Sequence, residues 1–438
     1  MTLYHLGIDD TDSLKFGCTT YVAALLIEEL IKYSKFIDYP NLIRLNPNIP
    51  WKSRGNGAVC LRFHSDMSEK EILDIAMNYV EEYRDHKDEK NQPGIVLLKG
   101  EVPKCVRDFG NRGLYEVLTL DEAIMLMERM GIHYRRINNG RGIIGALAAI
   151  GNLLDGDYTF ELIVYRRREL WDEKRFVDLN SVINFDRENK PYTFNNIDYE
   201  EERLLITPHG SDPVLFGVRG ESPHIVRMAL DYIKFRGGER WVVYRTNQGT
   251  DAHLIRKYTI NELKPYHAVV IEGRVSKKPT IISGGHVIFS ISDGTGEIDV
   301  AAYEPTGDLR MIVIRLMPGD RVRIGGGVRL LDNGKITLNL ERLEVLNLLK
   351  EISVNPICPK CNKSMKSEGK NKGYQCKKCG RKTRERMVIK IKREISEGIY
   401  LPPARSMRHL TKPIQRYGLE KNGWNEEVGE FYGILLNT

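Results

Sequence analysis

The stretch Gly7-Ile-Asp-Asp-Thr-Asp-Ser13 follows an apolar, strand-like run and precedes a helical run that starts near Thr19. Carboxylates so close together raise one another's pKa unless a counter-charge is present. Clustered carboxylate oxygens bind Mg²⁺, which usually bridges to nucleotide phosphates, and a helix N-terminus also attracts phosphate. The stretch therefore predicts an α/β domain with a metal–phosphate site at Asp9, Asp10 and Asp12. The alternative is a capped helix preceded by a turn, since Asp, Thr and Ser are also common there.

The length and charge of the chain limit its class. Its 438 residues are too many for one compact core, so about three domains are expected. No apolar run is long enough to span a bilayer and no signal-peptide pattern is present, which predicts a cytoplasmic protein without membrane contact. The net charge is +7, yet residues 358–393 hold 14 Lys or Arg and 2 Glu, a local +12 that leaves −5 elsewhere. This basic module favours a polyanionic partner, although a solvated charge run explains it equally well.

Strand-like and helix-like runs alternate before residue 250, which predicts α+β layers. Strands are expected at 3–8, 58–63, 94–98, 160–166, 203–207, 214–218 and 241–245. Helices are expected at 19–32, 68–83, 120–130, 143–153 and 224–235. The sequence leaves open whether these elements make one domain or two.

Between residues 266 and 346 the sequence pattern changes to short β-rich runs separated by glycines. Strands are expected at 268–273, 286–291, 297–302, 320–324 and 335–340, with a turn at Asp293-Gly-Thr-Gly296. Five such strands predict an OB-fold β-barrel. Many of these barrels bind single-stranded nucleic acid or a tRNA anticodon arm, but others bind proteins, so the partner stays open at this point.

Four cysteines form the most specific metal-binding pattern in the chain. The pairs Cys358-x2-Cys361 and Cys376-x2-Cys379 are separated by fourteen residues, the spacing of a structural zinc ribbon. The remaining three cysteines are scattered, which indicates reduced thiols. Beyond the ribbon, residues 394–438 form a C-terminal tail whose stretches Tyr400-Leu-Pro-Pro403 and Arg405 to Pro413 are basic and proline-punctuated. This tail is expected to lie along RNA or across its own barrel.

Two glycine-rich stretches, Asn138-Asn-Gly-Arg-Gly-Ile-Ile-Gly145 and Lys52-Ser-Arg-Gly-Asn-Gly-Ala58, combine glycines with cations. Glycines before a helix let backbone amides approach a phosphate, although they also permit close helix packing. Neither stretch is a Walker loop or a dinucleotide fingerprint. Five residues are predicted to contact phosphate: Lys52, Arg54, Gly140, Arg141 and Gly142. His209, in a separate turn cluster, is a candidate base, but a hydrogen-bonded loop histidine is the more ordinary interpretation.

These motifs occur together in one family. The order is residues 7–13 with Cys18-Thr-Thr-Tyr21, residues 138–145, Thr246-Asn-Gln-Gly-Thr-Asp251, and the four cysteines. Over nearly its whole length the chain resembles the archaeal tRNA(Ile) 2-agmatinylcytidine synthetase family. The resemblance implies a kinase-like domain (1–115), a ferredoxin-like domain (116–255), an OB-fold domain (256–348), a zinc ribbon (349–393) and the basic tail (394–438).

The resemblance also implies a reaction. ATP phosphorylates C2 of the wobble cytidine of a CAU-anticodon tRNA(Ile), and agmatine displaces the phosphate to give agmatidine, so that AUA is read as isoleucine. It implies that Asp9, Asp10 and Asp12 hold Mg²⁺ and phosphates, that ATP and Zn²⁺ are the other cofactors, and that Thr19 is autophosphorylated. Agmatine is a dication whose guanidinium needs a carboxylate or aromatic partner, and Asp212 and Glu221 are candidates by position.

Two other functions fit the residues less closely. A non-enzymatic nucleic-acid binder with a metal-stabilised scaffold does not need three acids beside hydroxyls and a helix start. A different ATP-dependent RNA modification that uses another amine stays open, because amine identity depends on a pocket shape that the sequence does not show.

Overall fold

The computed structural model of the chain describes residues 1–13, 17–52, 55–423 and 427–435. Its first half alternates strands with helices that pack on them. The elements up to residue 136 are β1 (Thr2–Asp9), α1 (Thr19–Leu30), β2 (Ser34–Phe36), β3 (Asn41–Arg44), β4 (Gly57–Ser65), α2 (Glu69–Tyr83), β5 (Gly94–Lys99), α3 (Lys104–Arg112), α4 (Leu120–Met130) and β6 (His133–Arg136). The elements up to residue 246 are α5 (Gly142–Gly151), β7 (Thr159–Arg166), α6 (Leu179–Asn189), β8 (Ile197–Asp198), β9 (Arg203–Leu204), β10 (Val214–Gly220), α7 (Pro223–Tyr232) and β11 (Gly238–Thr246).

The second half is rich in strands. The barrel region contains β12 (Ala268–Ile281), β13 (Val287–Ser292), β14 (Glu297–Ala302), α8 (Asp308–Val313), β15 (Arg321–Leu330) and β16 (Ile336–Asn347). The ribbon and tail contain β17 (Glu351–Val354), β18 (Lys366–Ser367), β19 (Tyr374–Gln375), β20 (Lys382–Thr383), β21 (Met387–Lys390), β22 (Gly398–Tyr400) and β23 (Tyr432–Ile434).

Ten of the described strands form one sheet that runs through the whole first half. Its order is β10-β7-β11-β3-β4-β1-β5-β6, with β2 beside β4 and β23 beside β11. Neighbouring strands are antiparallel except β3 and β11, which are parallel. At this junction the buried Arg245 guanidinium donates from Nε to Asp38, 3.1 Å away. The sheet is thus continuous across both expected N-terminal domains.

Helix α5 lies directly on the centre of this sheet, against β1, β4 and β5. Two glycines on the strands make the close approach possible. A Cβ at Gly94 would lie 2.6 Å from the Ile143 Cα, and one at Gly7 would lie 2.9 Å from the Ala146 carbonyl carbon. The helix N-terminus is therefore held beside the end of β1, where the acidic stretch begins.

The expected OB-fold barrel is confirmed. Strands β12 to β16 form a sheet in the order β14-β13-β12-β15-β16, and a parallel pair between β14 and β16 closes it. The predicted turn forms because the Asp293 carboxylate accepts hydrogen bonds from the Thr295 and Gly296 amides at 2.8 and 3.2 Å. A separate apolar core fills the barrel.

The ribbon and the tail leave and rejoin the barrel at definite places. Strands β17 and β21 form an antiparallel stem, at whose base the Ile391 amide donates to the Lys350 carbonyl at 2.8 Å. The tail then adds β22 to β16 of the barrel and β23 to β11 of the large sheet. Of the two expectations for the tail, the structure favours the one in which it lies across its own molecule.

The predicted strands and long helices are present, and most of their ends shift by a few residues; α1, for example, ends at Leu30 rather than residue 32. The barrel strands β12, β15 and β16 extend six to eight residues beyond their predicted ends. The elements that the sequence analysis missed include the short strands β2, β3 and β6 and the helices α3, α6 and α8. These strands are three or four residues long, too short for an alternating pattern to identify them. Within the described ranges, no helix is long and apolar enough to cross a membrane.

Candidate active site and metal centre

The acidic stretch lies where β1 ends against α5. Asp9 is half-buried, and its carboxylate accepts a hydrogen bond from the Asp10 amide at 2.7 Å. Asp10 has a left-handed backbone (φ 61°), which turns the chain away from the strand. Burial, followed by the neighbouring Asp10 carboxylate, raises the pKa of Asp9 well above its ordinary value. Asp9 therefore ionises readily only when a positive charge, such as a metal ion, sits beside it.

Asp12 and Thr19 form a tightly connected pair at the start of α1. One Asp12 oxygen accepts the Thr19 amide at 3.0 Å, and the other accepts the Thr19 hydroxyl at 3.1 Å. The Thr11 hydroxyl donates to the Thr19 oxygen, also at 3.1 Å. Since Cys18 offers no side-chain cap, Asp12 caps α1 from outside the helix. The helix cap was the alternative that the sequence offered to a metal–phosphate site. The same contact places a carboxylate where it can accept the proton of the Thr19 hydroxyl.

A first cavity, here called cavity A, opens beside Asp9. Its wall contains Asp9, Asp10, Trp51, Lys52, Arg141, Gly142 and Gly145. Arg141 donates from Nη2 to the Trp51 carbonyl at 2.7 Å, and its guanidinium lies 5.9 Å from the Trp51 ring centroid. Burial, followed by the charge of Arg408, lowers the pKa of Lys52. Cavity A thus places two cations and the N-terminus of α5 opposite the carboxylates of Asp9 and Asp10.

The glycines of α5 mainly serve close packing. A Cβ at Gly145 would overlap the Asp9 carboxylate and lie 2.7 Å from its Cγ, and one at Gly142 would lie 2.6 Å from the Asp9 carbonyl oxygen. Gly140, with φ 62°, turns the chain into the helix and packs against Arg136 instead of lining cavity A. Of the five predicted phosphate contacts, the structure brings Lys52, Arg141 and Gly142 to the cavity, while Arg54 lies outside the described residues.

A second cavity of about 280 Å³, cavity B, opens beside Thr19. Its wall contains Asp12, Thr19, Arg44, Glu161, Asp212, Arg219 and His409. Glu161 is buried among Arg219 Nε at 3.1 Å, Arg44 Nη2 at 3.9 Å and the Gln248 amide, so its charge is already compensated. Asp212 faces the same cavity while one of its oxygens accepts the Val214 amide at 2.7 Å. Thr19 and Asp12 are therefore close to cavity B, and β1 carries Asp9 and Asp10 to cavity A.

The structure does not bring Glu221, the second predicted agmatine residue, to either cavity. Its carboxylate accepts hydrogen bonds from Lys421 Nζ at 2.6 Å and from two nitrogens of the buried Arg416. Both cations belong to the tail, and they leave the Glu221 charge compensated within the chain. His209 is exposed in its loop, as the more ordinary interpretation expects.

Arg44, Glu161, Arg219 and His409 were not identified from the sequence. They lie on β3, β7, β10 and the tail, and the sheet order is what brings them together. No spacing pattern marks them. The only available signal was the unusual presence of charged residues within apolar strands, as in Thr-Phe-Glu161-Leu-Ile-Val.

The four ribbon cysteines converge as predicted. Their sulfur atoms all lie within 4.8 Å of one another, and the Cys358 and Cys379 sulfurs are 3.6 Å apart. Tetrahedral Zn²⁺ with bonds of about 2.3 Å needs sulfurs about 3.8 Å apart, so the cluster fits the ion. Hydrogen bonds from the Cys379 and Lys378 amides lower the pKa of Cys376 to about 6, which favours the thiolate that zinc binds.

Comparison with known proteins supports these assignments at the level of domains. Family models match four segments: the TiaS TCKD domain at residues 5–139, the TiaS FLD domain at 140–253, an OB-fold nucleic acid binding domain at 269–346 and the TiaS C-terminal zinc ribbon domain at 355–395. The ribbon model contains all four cysteines, which confirms the zinc-ribbon prediction.

Relatives match nearly the full length of the chain. The tRNA(Ile) 2-agmatinylcytidine synthetase TiaS of Methanocaldococcus jannaschii is 42% identical over 424 residues, 95% of this chain and 99% of that protein. The enzyme of the same name from Pyrococcus horikoshii is 41% identical over 418 residues, 94% of this chain and 97% of that protein.

Solved structures extend the similarity to three dimensions. A crystal structure of TiaS in complex with its isoleucine tRNA and ATP has a TM-score of 0.81 at 37% identity and covers 95% of this chain and 98% of that one. A complex of TiaS with the same tRNA, AMPCPP and agmatine has a TM-score of 0.80 at 35% identity, with the same coverage. The earlier resemblance is thereby confirmed, and the chain belongs to the TiaS family of tRNA(Ile) 2-agmatinylcytidine synthetases.

Proposed function

We propose that this chain is an ATP-dependent ligase that converts the wobble cytidine of CAU-anticodon tRNA(Ile) to agmatidine, with agmatine as the amine. Family membership supports the overall reaction, and one local observation carries the site assignment. The Thr19 hydroxyl is held by Asp12 in the wall of cavity B, and Asp12 is two residues from Asp10 in the wall of cavity A. Such an arrangement serves transfer of a phosphoryl group from one cavity to the other. We place the reaction in the cytoplasm.

Asp9 and Asp10 are proposed to hold Mg²⁺ and, through it, the phosphates of ATP in cavity A. The chemistry of the donor set fits this ion, because the adjacent carboxylates of the half-buried Asp9 and the buried Asp10 favour a divalent counter-charge. Phosphoryl transfer depends on neutralising and aligning the phosphates, and Lys52 and Arg141 are placed to contribute. We assign a kinase-like role to the N-terminal domain on this basis.

Thr19 is proposed to be autophosphorylated, with Asp12 as the base that accepts its proton. The hydroxyl already donates to an Asp12 oxygen at 3.1 Å, within the range expected of a general base. The α1 amide end would then stabilise the added phosphate charge. In the full reaction, a phosphoryl group from ATP activates C2 of the cytidine, and the agmatine amine then attacks C2 and expels phosphate.

Cavity B is the proposed site for agmatine, with Asp212 as the partner of its guanidinium. Glu161 faces the same cavity, but Arg219 and Gln248 already engage its oxygens. Asp212 lies in the cavity wall, the Val214 amide donates to one of its oxygens, and a carboxylate is the group that pairs best with a guanidinium. We do not extend the agmatine proposal to Glu221, because Arg416 and Lys421 compensate its charge.

The barrel and the ribbon are proposed to hold the tRNA. The ribbon exposes Lys377, Lys378 and Arg381 around the zinc site, a basic surface suited to an RNA backbone. The proposed domain limits remain 1–115, 116–255, 256–348, 349–393 and 394–438. Pairing of β6 with β5 favours moving the first limit toward residues 139–140, where two family models meet.

The proposal is tested with purified protein, Mg²⁺, ATP, agmatine and a CAU-anticodon tRNA(Ile) transcript, followed by mass analysis of the wobble nucleoside. A mass gain that corresponds to agmatine on this cytidine, absent from an initiator-type tRNA, is the expected result. In the same assay, Thr19→Val removes the proposed nucleophile, and Thr20→Val, the matched control, makes the same change at the neighbouring residue. ATP turnover without a modified nucleoside would contradict the amine or the RNA, and no turnover at all would support a binding protein instead.

A further inference from the structure

The tail, which follows the zinc ribbon, reaches back into cavity B. His409 forms part of the cavity wall together with Thr19 and Asp212. The backbone around it is anchored on both sides, because the Gly249 amide donates to the His409 carbonyl at 2.8 Å and the Asp251 amide donates to the Leu410 carbonyl at 2.7 Å. The position of the imidazole in the cavity is therefore fixed by the fold.

The partner of His409 determines which ring nitrogen carries the proton. Arg219 Nη2 lies 3.3 Å from Nδ1, and a guanidinium can only donate, so Nδ1 must accept. The neutral ring then carries its hydrogen on Nε2. The Arg44 charge, together with burial and the charges of Arg219 and Lys52, lowers the pKa of His409 well below its ordinary value, which keeps the ring neutral.

The free side of the ring is therefore a hydrogen-bond donor. No hydrogen bond from Nε2 to another residue is present in the described part of the chain. A Cβ on Gly55 would lie 3.1 Å from Nε2, so the glycine leaves the space beside this nitrogen open. A ligand in cavity B can supply an acceptor for this donor. The guanidinium of agmatine offers none and its ammonium group offers none before it loses a proton, whereas a cytidine nucleotide offers base, ribose and phosphate oxygens.

We infer that His409 is a substrate-contacting residue that donates from Nε2 to an acceptor atom of the wobble cytidine nucleotide in cavity B. The inference rests on the proposed function and adds to it a nucleotide-binding role for the tail. The two side chains then have different partners in cavity B: Asp212 contacts the agmatine guanidinium, and His409 contacts the nucleotide.

Two substitutions test the two ring nitrogens separately. His409→Asn keeps an acceptor near the Nδ1 position for Arg219 and removes the Nε2 donor, whereas His409→Gln can keep a donor near the Nε2 position. His224→Asn, the same change at an exposed helix position, is the control. Loss of one hydrogen bond worth about 1.4 kcal/mol is about tenfold in affinity. We expect His409→Asn to raise the KM for tRNA about tenfold, to leave the KM for agmatine unchanged, and His409→Gln to recover most of the difference.

The outcomes distinguish the inference from the proposed function. If the wild-type protein modifies the tRNA and His409→Asn behaves like wild type while His409→Gln is impaired, His409 only holds Arg219, and the inference fails alone. Equal increases in both KM values would show a general collapse of cavity B and would also overturn it. If the wild-type protein fails to modify the tRNA, the proposed function fails, and the inference that rests on it is withdrawn.

Discussion

Gly145→Ala is a small change that should displace the proposed magnesium ligand Asp9 without altering the charge of its side chain. Gly145 lies in α5, facing the end of β1, and an added Cβ would overlap the Asp9 carboxylate and lie 2.7 Å from its Cγ. Carbon atoms in contact are about 3.5–4.0 Å apart, so the carboxyl carbon must move by about 1 Å. Rotation of the carboxylate about its own bond moves only the oxygens and does not relieve this overlap.

The expected effects on stability and on activity are very different. In a helix interior, alanine is favoured over glycine by about 0.8–1.0 kcal/mol, and overpacking a core costs about 1–3 kcal/mol. The free energy of unfolding should therefore fall by no more than about 2 kcal/mol. A misplacement of about 1 Å at a reacting group can reduce the rate about 100-fold. We expect a loss of this order in kcat/KM for ATP.

The assay measures ATP turnover over a range of Mg²⁺ concentrations, with thermal unfolding of the same samples. Gly156→Ala is the matched control, because a Cβ there would have no atom within 4 Å. The variant should need more Mg²⁺ than wild type and should not reach wild-type turnover. A Gly145→Ala protein that is folded and within threefold of wild-type kcat/KM would refute the role given to the position of Asp9.

Three further perturbations address the same sites. Asp12→Asn should abolish turnover, because Asp12 contacts the Thr19 hydroxyl, and should leave tRNA affinity within about twofold of wild type. A variant that is fully active in the nucleoside assay would contradict the assignment of Asp12 as the base. Because the pKa of Asp9 is raised in the native state, the native state binds this proton more tightly than the unfolded chain does. Without Mg²⁺, the free energy of unfolding should therefore fall as pH rises above about 4, which denaturant unfolding in the presence of EDTA would measure. Addition of Mg²⁺ and the substitution Asp9→Asn should each abolish this fall. Excision of residues 351–390, with a short linker joining Lys350 to Ile391, should leave the remaining fold intact, weaken tRNA binding and flatten its salt dependence; unchanged binding would assign the ribbon another role.

The features that the sequence could predict are those encoded locally. The four cysteines, the Asp293 turn and the acidic stretch with Thr19 each lie within a short segment whose residue types and spacing demand a particular structure. Cavity B was not predictable in this way. Arg44, Glu161 and His409 are far apart along the chain, and they meet only because β3, β7 and the tail converge in three dimensions.

The tail also showed why charge is an ambiguous signal. Its basic run, Arg405 to Pro413, predicted either RNA contact or packing across the protein, and the structure provides internal acidic partners for Arg405, Arg408 and the nearby Arg416. Composition records the number of cations but not the carboxylates that meet them. Glu221 was misplaced for the same reason, since its partners lie about 200 residues away.

The addition of β23 to β11 has a consequence for how this protein is made. The Gly429 amide donates to the Tyr39 hydroxyl across 390 residues, and the Phe431 ring lies 5.2 Å from that of Phe36. During synthesis, Phe36 and Tyr39 leave the ribosome long before the segment that covers them. The growing chain must therefore carry an exposed aromatic patch until that segment emerges, and during this delay chaperone binding and aggregation compete for the nascent protein.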